Sequence, residues 1–181
     1  GALHMSEFAA GGTGHNEHYG DCHNPWDLSR ATGGSSSGSG AAVASRTVYA
    51  ALGSDTGGSV RLPAALCGVS GLKPTDGRVS RHGVMPRSWS TDTLGPLARS
   101  ARDLARIMSV IAGYDPRDPT TRQMAVPDYE DVLAARPSGI RVGLAIGDYM
   151  NPVEPAVSDA LARLADALAG GALAAPAEGT A

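Results

Sequence analysis

The sequence predicts an α/β fold in which a mixed sheet is covered by helices. Short apolar runs with the length of strands alternate along the chain with segments of helical period. Glycine supplies 24 of the 181 residues, about twice its average share, which suits a fold with many close backbone approaches. A chain of this length fits one domain by the usual size prior.

The first half of the chain is predicted to contain loops, one alanine-rich helix and a central turn. Residues 1–30 are rich in turn-forming residues. A helix of small side chains can begin at Ser39 or Gly40 and run to about Ala50. The apolar run from Tyr49 to Leu52 leads into the central turn, and residues 63–69 are interpreted as a helical turn or a buried loop.

The second half begins with a capped helix. Ser100 is a predicted N-cap, and Gly113 is predicted to end the element. The predicted core stripe of this helix is Leu104, Ala105, Met108 and Ile111. Residues 115–128, with their prolines, are predicted to form a surface loop.

A strand and a second helix are predicted farther along. Residues 140–146 have the composition of a strand, and Pro155 starts a helix with an apolar stripe that we expect to be buried. That stripe is Val157, Leu161, Leu164 and Leu168. The predicted domain has a core of about residues 1–121, the strand and helix over about 139–169, and a frayed tail over 170–181.

Composition argues against several classes of function. A formal net charge of −3 gives no electrostatic footprint for nucleic acid or for an anionic membrane surface. No apolar run is long enough to span a bilayer, and no signal peptide opens the chain. Two cysteines, Cys22 and Cys67, do not make a disulfide framework. We therefore expect a soluble, cytoplasmic protein.

The stretch of residues 53–63, Gly-Ser-Asp-Thr-Gly-Gly-Ser-Val-Arg-Leu-Pro, has the composition of a reactive turn. Adjacent glycines let several backbone N–H donors converge on one point beside the Ser59 hydroxyl. Acyl transfer needs such a nucleophile and a cradle for the negative oxygen that forms when it attacks. The alternative is an ordinary glycine-rich turn between a strand and its neighbour.

Another glycine-serine stretch, the first along the chain, occupies residues 33–42. By composition it is a flexible linker. Its neighbours argue against that interpretation, because the turn Asn24-Pro25-Trp26-Asp27 precedes it and a helix-forming run follows directly.

Four other motifs are weighed and set aside. Ser70-x-x-Lys73 needs a helix, which Gly71 and Pro74 disfavour. Residues 34–38 fit a nucleophile elbow, but we predict no strand before them. Residues 53–59 have the glycine spacing of a phosphate-binding loop but lack its lysine. The fourth is a cluster of metal-ligating residues with no closed zinc spacing: His15, His18, Cys22 and His23.

Taken together, residues 33–44 and 51–75 resemble the amidase signature family. Further landmarks in the same order are Met5-Ser6-Glu7-Phe8-Ala9, Asn24-Pro25-Trp26-Asp27 and Gly95-Pro96-Leu97-Ala98-Arg99. The resemblance covers most of residues 1–121, and an ordered set of this kind is far more specific than one glycine-rich loop. It implies a partial amidase signature fold.

The resemblance also implies roles for individual residues. Ser59 would be the nucleophile. Ser35, preceded by a cis peptide bond, would relay the proton of Ser59 to a lysine. The supporting residues would be Ser36, Asp55 and Arg61, the last two as a pair that buttresses the loop. The oxyanion would be held by the N–H groups of Thr56, Gly57, Gly58 and Ser59.

The relay requires the two glycine-serine loops to lie side by side, with the hydroxyls of Ser35 and Ser59 near hydrogen-bond reach. The family's lysine belongs upstream of residue 33, and we expect this chain to begin too late to contain it. Lys73 matches a position downstream of the nucleophile instead. We therefore expect an internal piece of a longer amidase, inactive by itself.

The implied activity is hydrolysis of carboxylic amides through a serine acyl-enzyme, with no cofactor and no metal. One alternative is the glutamine-hydrolysing component of a tRNA-dependent amidotransferase. An alternative of another class is a non-catalytic remnant or binding module. The expected partners are a small-molecule amide and either a second copy of the chain or amidotransferase subunits, with no direct contact to nucleic acid or membrane.

Overall fold

A computed structural model describes residues 1–134, 141, 143 and 153–169. The chain divides into two compact units, Gly1–Arg136 and Pro137–Ala181. The first unit contains almost every element described here and both glycine-serine stretches. The α/β fold class is confirmed.

The first unit opens with a short 3-10 helix at Glu7–Ala9 and a two-stranded antiparallel hairpin. The hairpin pairs β1 (His23–Asn24) with β2 (Asp27–Ala31). Asn24 fixes the adjoining segment, because its side-chain amide donates to the carbonyl of Leu66 at 2.8 Å. The predicted turn at residues 24–27 is therefore the tip of this hairpin.

The first glycine-serine stretch is a structural element and not a linker. Residues 32–40 are all buried, and helix α1 (Ser37–Ala44) begins inside the stretch. The helix starts earlier and ends earlier than the sequence predicts. It stops because Arg46 takes a left-handed φ of +63°, a conformation that cannot continue a right-handed helix.

A three-stranded sheet lies beside α1, in the order β3 (Ala50–Asp55), β5 (Thr93–Ala98), β4 (Ser70–Gly71). Both strand pairs are antiparallel, with Ala50 opposite Ala98 and Asp55 opposite Thr93. The parallel pairs that a mixed sheet would require are not among the residues that the structure describes. Helix α2 (Arg61–Leu66) follows β3 after a loop of five residues, 56–60. The sequence predicts a helical turn or a buried loop over residues 63–69, so the helix begins two residues earlier than that segment.

The core lies between α1, α2 and the sheet. Its buried residues are Val43, Val60, Ala64 and Leu97, with Val48, Ala51 and Val69 packed against them. Small residues allow the layers to approach closely. A Cβ on Gly71 would lie 2.7 Å from that of Ala64, closer than atoms can pack. Val60, which directly follows Ser59, is fully buried and anchors the end of the central turn.

Helix α3 (Ala101–Ile111) agrees closely with its prediction. The hydroxyl of Ser100 accepts a hydrogen bond from the N–H of Asp103, as an N-cap does. Leu104, Ala105 and Met108 are buried, while Ile111 is only partly covered. The loop that follows contains no helix or strand up to residue 128, as predicted, but Asp118 and Thr121 within it are buried.

The two remaining helices differ from the sequence prediction. Helix α4 (Tyr129–Ala134) is absent from the sequence prediction. Helix α5 (Pro155–Ala169), in the second unit, forms where predicted, but its apolar stripe is exposed and not buried. A helical period fixes which residues share a face; it does not supply a surface to cover that face. The predicted strand over 140–146 and the predicted tail from 170 lie outside the described residues.

Among the described residues, every helix is too short or too polar to span a bilayer.

Candidate active site

The central turn is held by Asp55, the last residue of β3. Its side chain is completely buried, and its oxygens accept hydrogen bonds from the amides of Gly58 at 2.8 Å and Val60 at 3.1 Å. The Arg61 guanidinium donates to the same carboxylate through Nε at 3.1 Å and Nη2 at 3.0 Å. The predicted Asp55–Arg61 pair is therefore confirmed.

The two partners of this ion pair differ in burial. Burial opposes ionisation of Asp55, but the hydrogen bonds from Arg61 and from the backbone of Val60 outweigh it, and the pKa of the carboxyl is lowered. The Arg61 side chain remains 54% exposed. The ion pair thus lies at the boundary between the core and solvent, with the carboxylate inside, and it fixes the loop from behind Ser59.

Ser35 precedes α1 and follows a cis peptide bond between Gly34 and Ser35, as the family resemblance implies. Its side chain is completely buried, yet its Oγ has no hydrogen-bond partner within the described part of the chain. The Ser35 carbonyl does have a partner, because it accepts from the N–H of Ser6 at 2.9 Å. A buried hydroxyl without a partner is costly in an ordinary core and calls for a structural or functional explanation. The Ser6 hydroxyl has the same property within the described residues.

The two glycine-serine loops lie side by side, as predicted, but the expected hydrogen bond between the Ser35 and Ser59 hydroxyls is not formed within the described residues. The N–H of Ser36 donates to the carbonyl of Ser59 at 3.2 Å, which joins the loops directly. The Ser36 hydroxyl contacts β3 just before the central turn, donating to the Ser54 carbonyl at 3.3 Å and accepting from the Ser54 N–H at 3.2 Å. Ser36 therefore connects Ser35 to the strand that leads to Ser59.

The backbone donors near Ser59 are not all equivalent. The N–H of Gly58 is already committed to Asp55, which corrects the expectation that all of residues 56–59 present free donors. The amides of Thr56, Gly57 and Ser59 have no acceptor within the described ranges. These three amides therefore keep their N–H donors available for another acceptor.

The glycines of this loop border open space. Gly58 has a φ of +137°, which favours glycine for conformational reasons. Gly57 has no such φ, and a Cβ placed on it would meet no atom within 4 Å. The protein itself therefore does not require a glycine at position 57, and the open space above it is available to a ligand.

A cavity of about 630 Å³ lies against the loop. Its wall is formed by residues of both glycine-serine loops, an N-terminal turn and two arginines: Gly11, Gly12, Gly34, Thr56, Gly57, Gly58, Ser59, Arg61, Leu62 and Arg87. Ser59, partly exposed, reaches this cavity, whereas Ser35 lies buried behind it. The arrangement places the Ser59 side chain at the cavity and the Ser35 hydroxyl buried behind the cavity wall.

Sequence reasoning missed the residues that connect the turn to a distant loop. The Thr56 hydroxyl donates to Asp92 Oδ1 at 2.6 Å, and Asp92 Oδ2 accepts from the amides of Arg87 at 2.7 Å and Ser88 at 2.8 Å. Burial opposes ionisation of Asp92, but these donors outweigh it and lower its pKa. No local pattern marks Asp92, since its contact with Thr56 spans 36 residues.

Two of the sequence motifs set aside above lie in positions that do not form a second active site. The Ser70 end of the Ser-x-x-Lys motif is in strand β4, and the Lys73 ammonium donates to the neighbouring Pro74 carbonyl at 3.4 Å. The nucleophile-elbow motif does follow a strand, β2, which the sequence prediction omitted. That strand belongs to an exposed hairpin, and Thr32 and Gly33 separate it from the motif, so it does not lead into the motif directly.

The histidines near the N-terminus have other partners. His15 contacts Asp21 at 2.6 Å, and His18 contacts Glu7 at 3.3 Å. No group of three metal-ligating side chains is assembled anywhere in the described ranges.

Known proteins resemble this chain across its length. An Amidase family model matches residues 1–173. A Glutamyl-tRNA(Gln) amidotransferase protein of Chloroflexus aggregans is 51% identical over 160 residues, which cover 88% of this chain and 33% of that protein. The protein of the same name from Anaeromyxobacter dehalogenans is 55% identical over 144 residues, covering 80% and 29%. The chain therefore spans about a third of the length of these relatives.

Solved structures show the same likeness. One comes from a vestigial protein complex described as revealing the evolutionary origins of an s-triazine catabolic enzyme. It has a TM-score of 0.90 at 46% identity and covers 93% of this chain and 37% of its own. A 6-aminohexanoate cyclic dimer hydrolase gives 0.87 at 37% identity, with coverage of 95% and 37%.

Proposed function

We propose, from the premise that this chain belongs to the amidase signature family, that it carries the nucleophile of an amidohydrolase. Ser59 attacks the carbonyl carbon of a carboxylic amide and forms an acyl-enzyme. The observation that carries the proposal is the buried Ser35 hydroxyl without a partner in the described residues, directly behind the loop that holds Ser59.

The chemistry follows from the roles of the two hydroxyls. As the Ser59 oxygen attacks, its proton passes to Ser35 Oγ, and the proton of Ser35 passes to a lysine amine. The carbonyl π bond breaks, and the oxyanion is held by the amides of Thr56, Gly57 and Ser59, each worth about 3–4 kcal/mol in comparable sites. The C–N bond then breaks, the proton returns through Ser35 to the departing nitrogen, and water later hydrolyses the ester.

The lysine of this relay is not Lys73. The Lys73 ammonium is turned toward its own neighbour, Pro74. It is also the only lysine in the sequence. We therefore propose that these 181 residues alone release little or no ammonia from amides, and that activity belongs to a full-length protein with a lysine at the family position.

A second candidate function is hydrolysis of glutamine within a tRNA-dependent amidotransferase. The curated relatives described above favour it, because they are named as Glutamyl-tRNA(Gln) amidotransferase proteins and are 51–55% identical. In that case the ammonia released at Ser59 would pass to a partner protein of the amidotransferase. A cytoplasmic location and a small amide substrate fit both candidates.

The test compares ammonia release by the full-length protein, its Ser59→Ala variant and the 181-residue chain. Simple aliphatic and aromatic amides and glutamine serve as substrates. We expect turnover only with the full-length protein, and its loss in Ser59→Ala. Hydrolysis that survives Ser59→Ala would overturn the nucleophile assignment, and a complete absence of turnover and of acyl-enzyme would favour a non-catalytic remnant or binding module.

A preference for glutamine over simple amides, together with co-purification of partner proteins, would select the amidotransferase.

A further inference from the structure

We propose that Arg87 binds an anionic group of the substrate, so that the preferred amides carry a carboxylate. This inference rests on the proposed function, since it names the substrate class of the same cavity. The residues that line the cavity include two arginines and no aspartate or glutamate. The cavity wall is therefore cationic.

The two arginines are not equally available. Arg61 is paired with the buried Asp55 carboxylate through Nε and Nη2, so its charge is largely balanced. Arg87 makes no ion pair within the described residues, and its guanidinium donates through Nη1 to the carbonyl of Ala9, a neutral acceptor. Its positive charge and its remaining N–H donors are thus left for an acceptor in the cavity.

The backbone of Arg87 is also tied to the loop that carries Ser59, residues 56–60. Asp92 accepts from the Arg87 amide through one oxygen and from the Thr56 hydroxyl through the other. The backbone that carries Arg87 is therefore fixed relative to the amides of residues 56–59. A cation on the wall of the cavity that Ser59 also lines can select substrates by a second group as well as by the amide.

A carboxylate fits this position better than other groups. The planar guanidinium matches a carboxylate with two parallel hydrogen bonds, whereas a neutral aliphatic end would leave the cation unpaired. A cationic end would be repelled. The structure thus predicts discrimination between amides that differ only at the end remote from the amide.

The experiment measures kcat/KM of the full-length protein for succinamate and for butyramide, its analogue with a methyl group in place of the carboxylate. We expect wild type to prefer succinamate. Arg87→Leu should lower kcat/KM for succinamate by about 10- to 100-fold, the worth of a hydrogen-bonded charge, and should lower kcat/KM for butyramide far less. Arg102→Leu, which removes an exposed arginine on α3 outside the cavity, serves as the matched control.

An equal loss of kcat/KM for both substrates would show that Arg87 only holds its own loop against the Ala9 carbonyl. That result would overturn the proposal. No preference in wild type would also overturn it.

A binding measurement separates this inference from the proposed function. In the Ser59→Ala background, calorimetry with succinamate should give binding that Arg87→Leu weakens by a similar factor. Anion binding without any turnover in wild type would support this inference and contradict the amidohydrolase. Turnover in wild type with no effect of Arg87 on binding would do the reverse.

Discussion

The two glycine-serine loops have similar compositions but use their glycines in opposite ways. In the first loop the glycines are buried against protein: a Cβ on Gly34 would lie 2.8 Å from the Gly11 carbonyl, and one on Gly38 would lie 2.7 Å from the His4 carbonyl. In the second loop, a Cβ on Gly57 or Gly58 would meet nothing within 4 Å. The first loop needs glycine to fold, and the second leaves room for a ligand.

The serines of the two loops divide in the same way. Ser35 in the first loop is completely buried, whereas Ser59 in the second is partly exposed at the cavity. One loop thus supplies a rigid, buried hydroxyl and the other an accessible one. A shared composition therefore does not imply a shared role, and the packing around each glycine distinguishes the two loops.

The largest expected effect is at Ser35. Ser35→Ala in the full-length protein should reduce kcat by at least about a thousandfold, because removing one member of a cooperating set removes most of its catalysis. In the 181-residue chain the Ser35 hydroxyl has no partner among the described residues, so there the same substitution should leave thermal stability unchanged or slightly raised. Steady-state kinetics and a thermal melt together check this prediction.

A variant that loses activity only because it unfolds would show a lowered melting temperature, and that result would argue against the relay.

Asp55→Asn should have the next largest effect, this time on stability. The variant leaves the Arg61 guanidinium without its charge partner and turns an amide group toward buried donors. We expect a loss of about 2–3 kcal/mol in the free energy of unfolding, below the range for fully buried pairs because Arg61 is half exposed. Denaturant titration measures it.

Asp27→Asn is the control for this loss, since it breaks an exposed pair with Arg30 and should cost less than about 1 kcal/mol. Equal losses in the two variants would remove the buttressing role of Asp55.

The stabilisation by Asp55 should depend on pH in a defined direction. Its pKa is lowered in the folded protein, so its contribution is fully present above its ordinary value of about 4 and is lost as pH falls through the folded value. The difference in unfolding free energy between wild type and Asp55→Asn should therefore be constant near neutral pH and shrink below about pH 4. A difference that grows on acidification would contradict this assignment.

The glycine comparison is tested by a matched pair of substitutions. Gly38→Ala should lower the free energy of unfolding by about 1–3 kcal/mol, because the added methyl meets the backbone of His4. This result would be opposite to the usual gain from alanine in a helix. Denaturant titration of the variant measures the loss, and unchanged stability would show that the N-terminal segment moves aside freely.

Gly57→Ala is the partner of that substitution and the smallest of these effects. It should leave unfolding unchanged and lower kcat/KM about tenfold, since the methyl enters the space above the oxyanion donors. Full activity in Gly57→Ala would mean that no ligand approaches this loop closely.

Much of this site could be predicted from the sequence because its parts are local or belong to a recognisable family. The Asp55–Arg61 pair and the turn around Ser59 lie within a few residues of each other, and the Ser100 cap follows from helix chemistry. Asp92 and Arg87 could not be predicted in this way. Their positions depend on a loop folding back onto Thr56, and no local pattern encodes that contact.

The exposed stripe of α5 has a related cause. The helical spacing of apolar residues identifies the apolar face of α5. Whether that face is buried depends on which elements pack against it, and this is a property of the tertiary structure. Gly57 and Gly58 illustrate the same limit, because only the surrounding atoms show that the space above them is open.

Covalent labelling tests the central claim most directly: that Ser59 is a nucleophile activated through Ser35. The full-length protein would be treated with phenylmethylsulfonyl fluoride and digested, and the modified residue identified by mass spectrometry, for wild type and for Ser35→Ala. We expect a single sulfonyl group on Ser59, added far more slowly when Ser35 is alanine. Labelling of a different residue, or labelling of Ser59 at the same rate without the Ser35 hydroxyl, would contradict this mechanism.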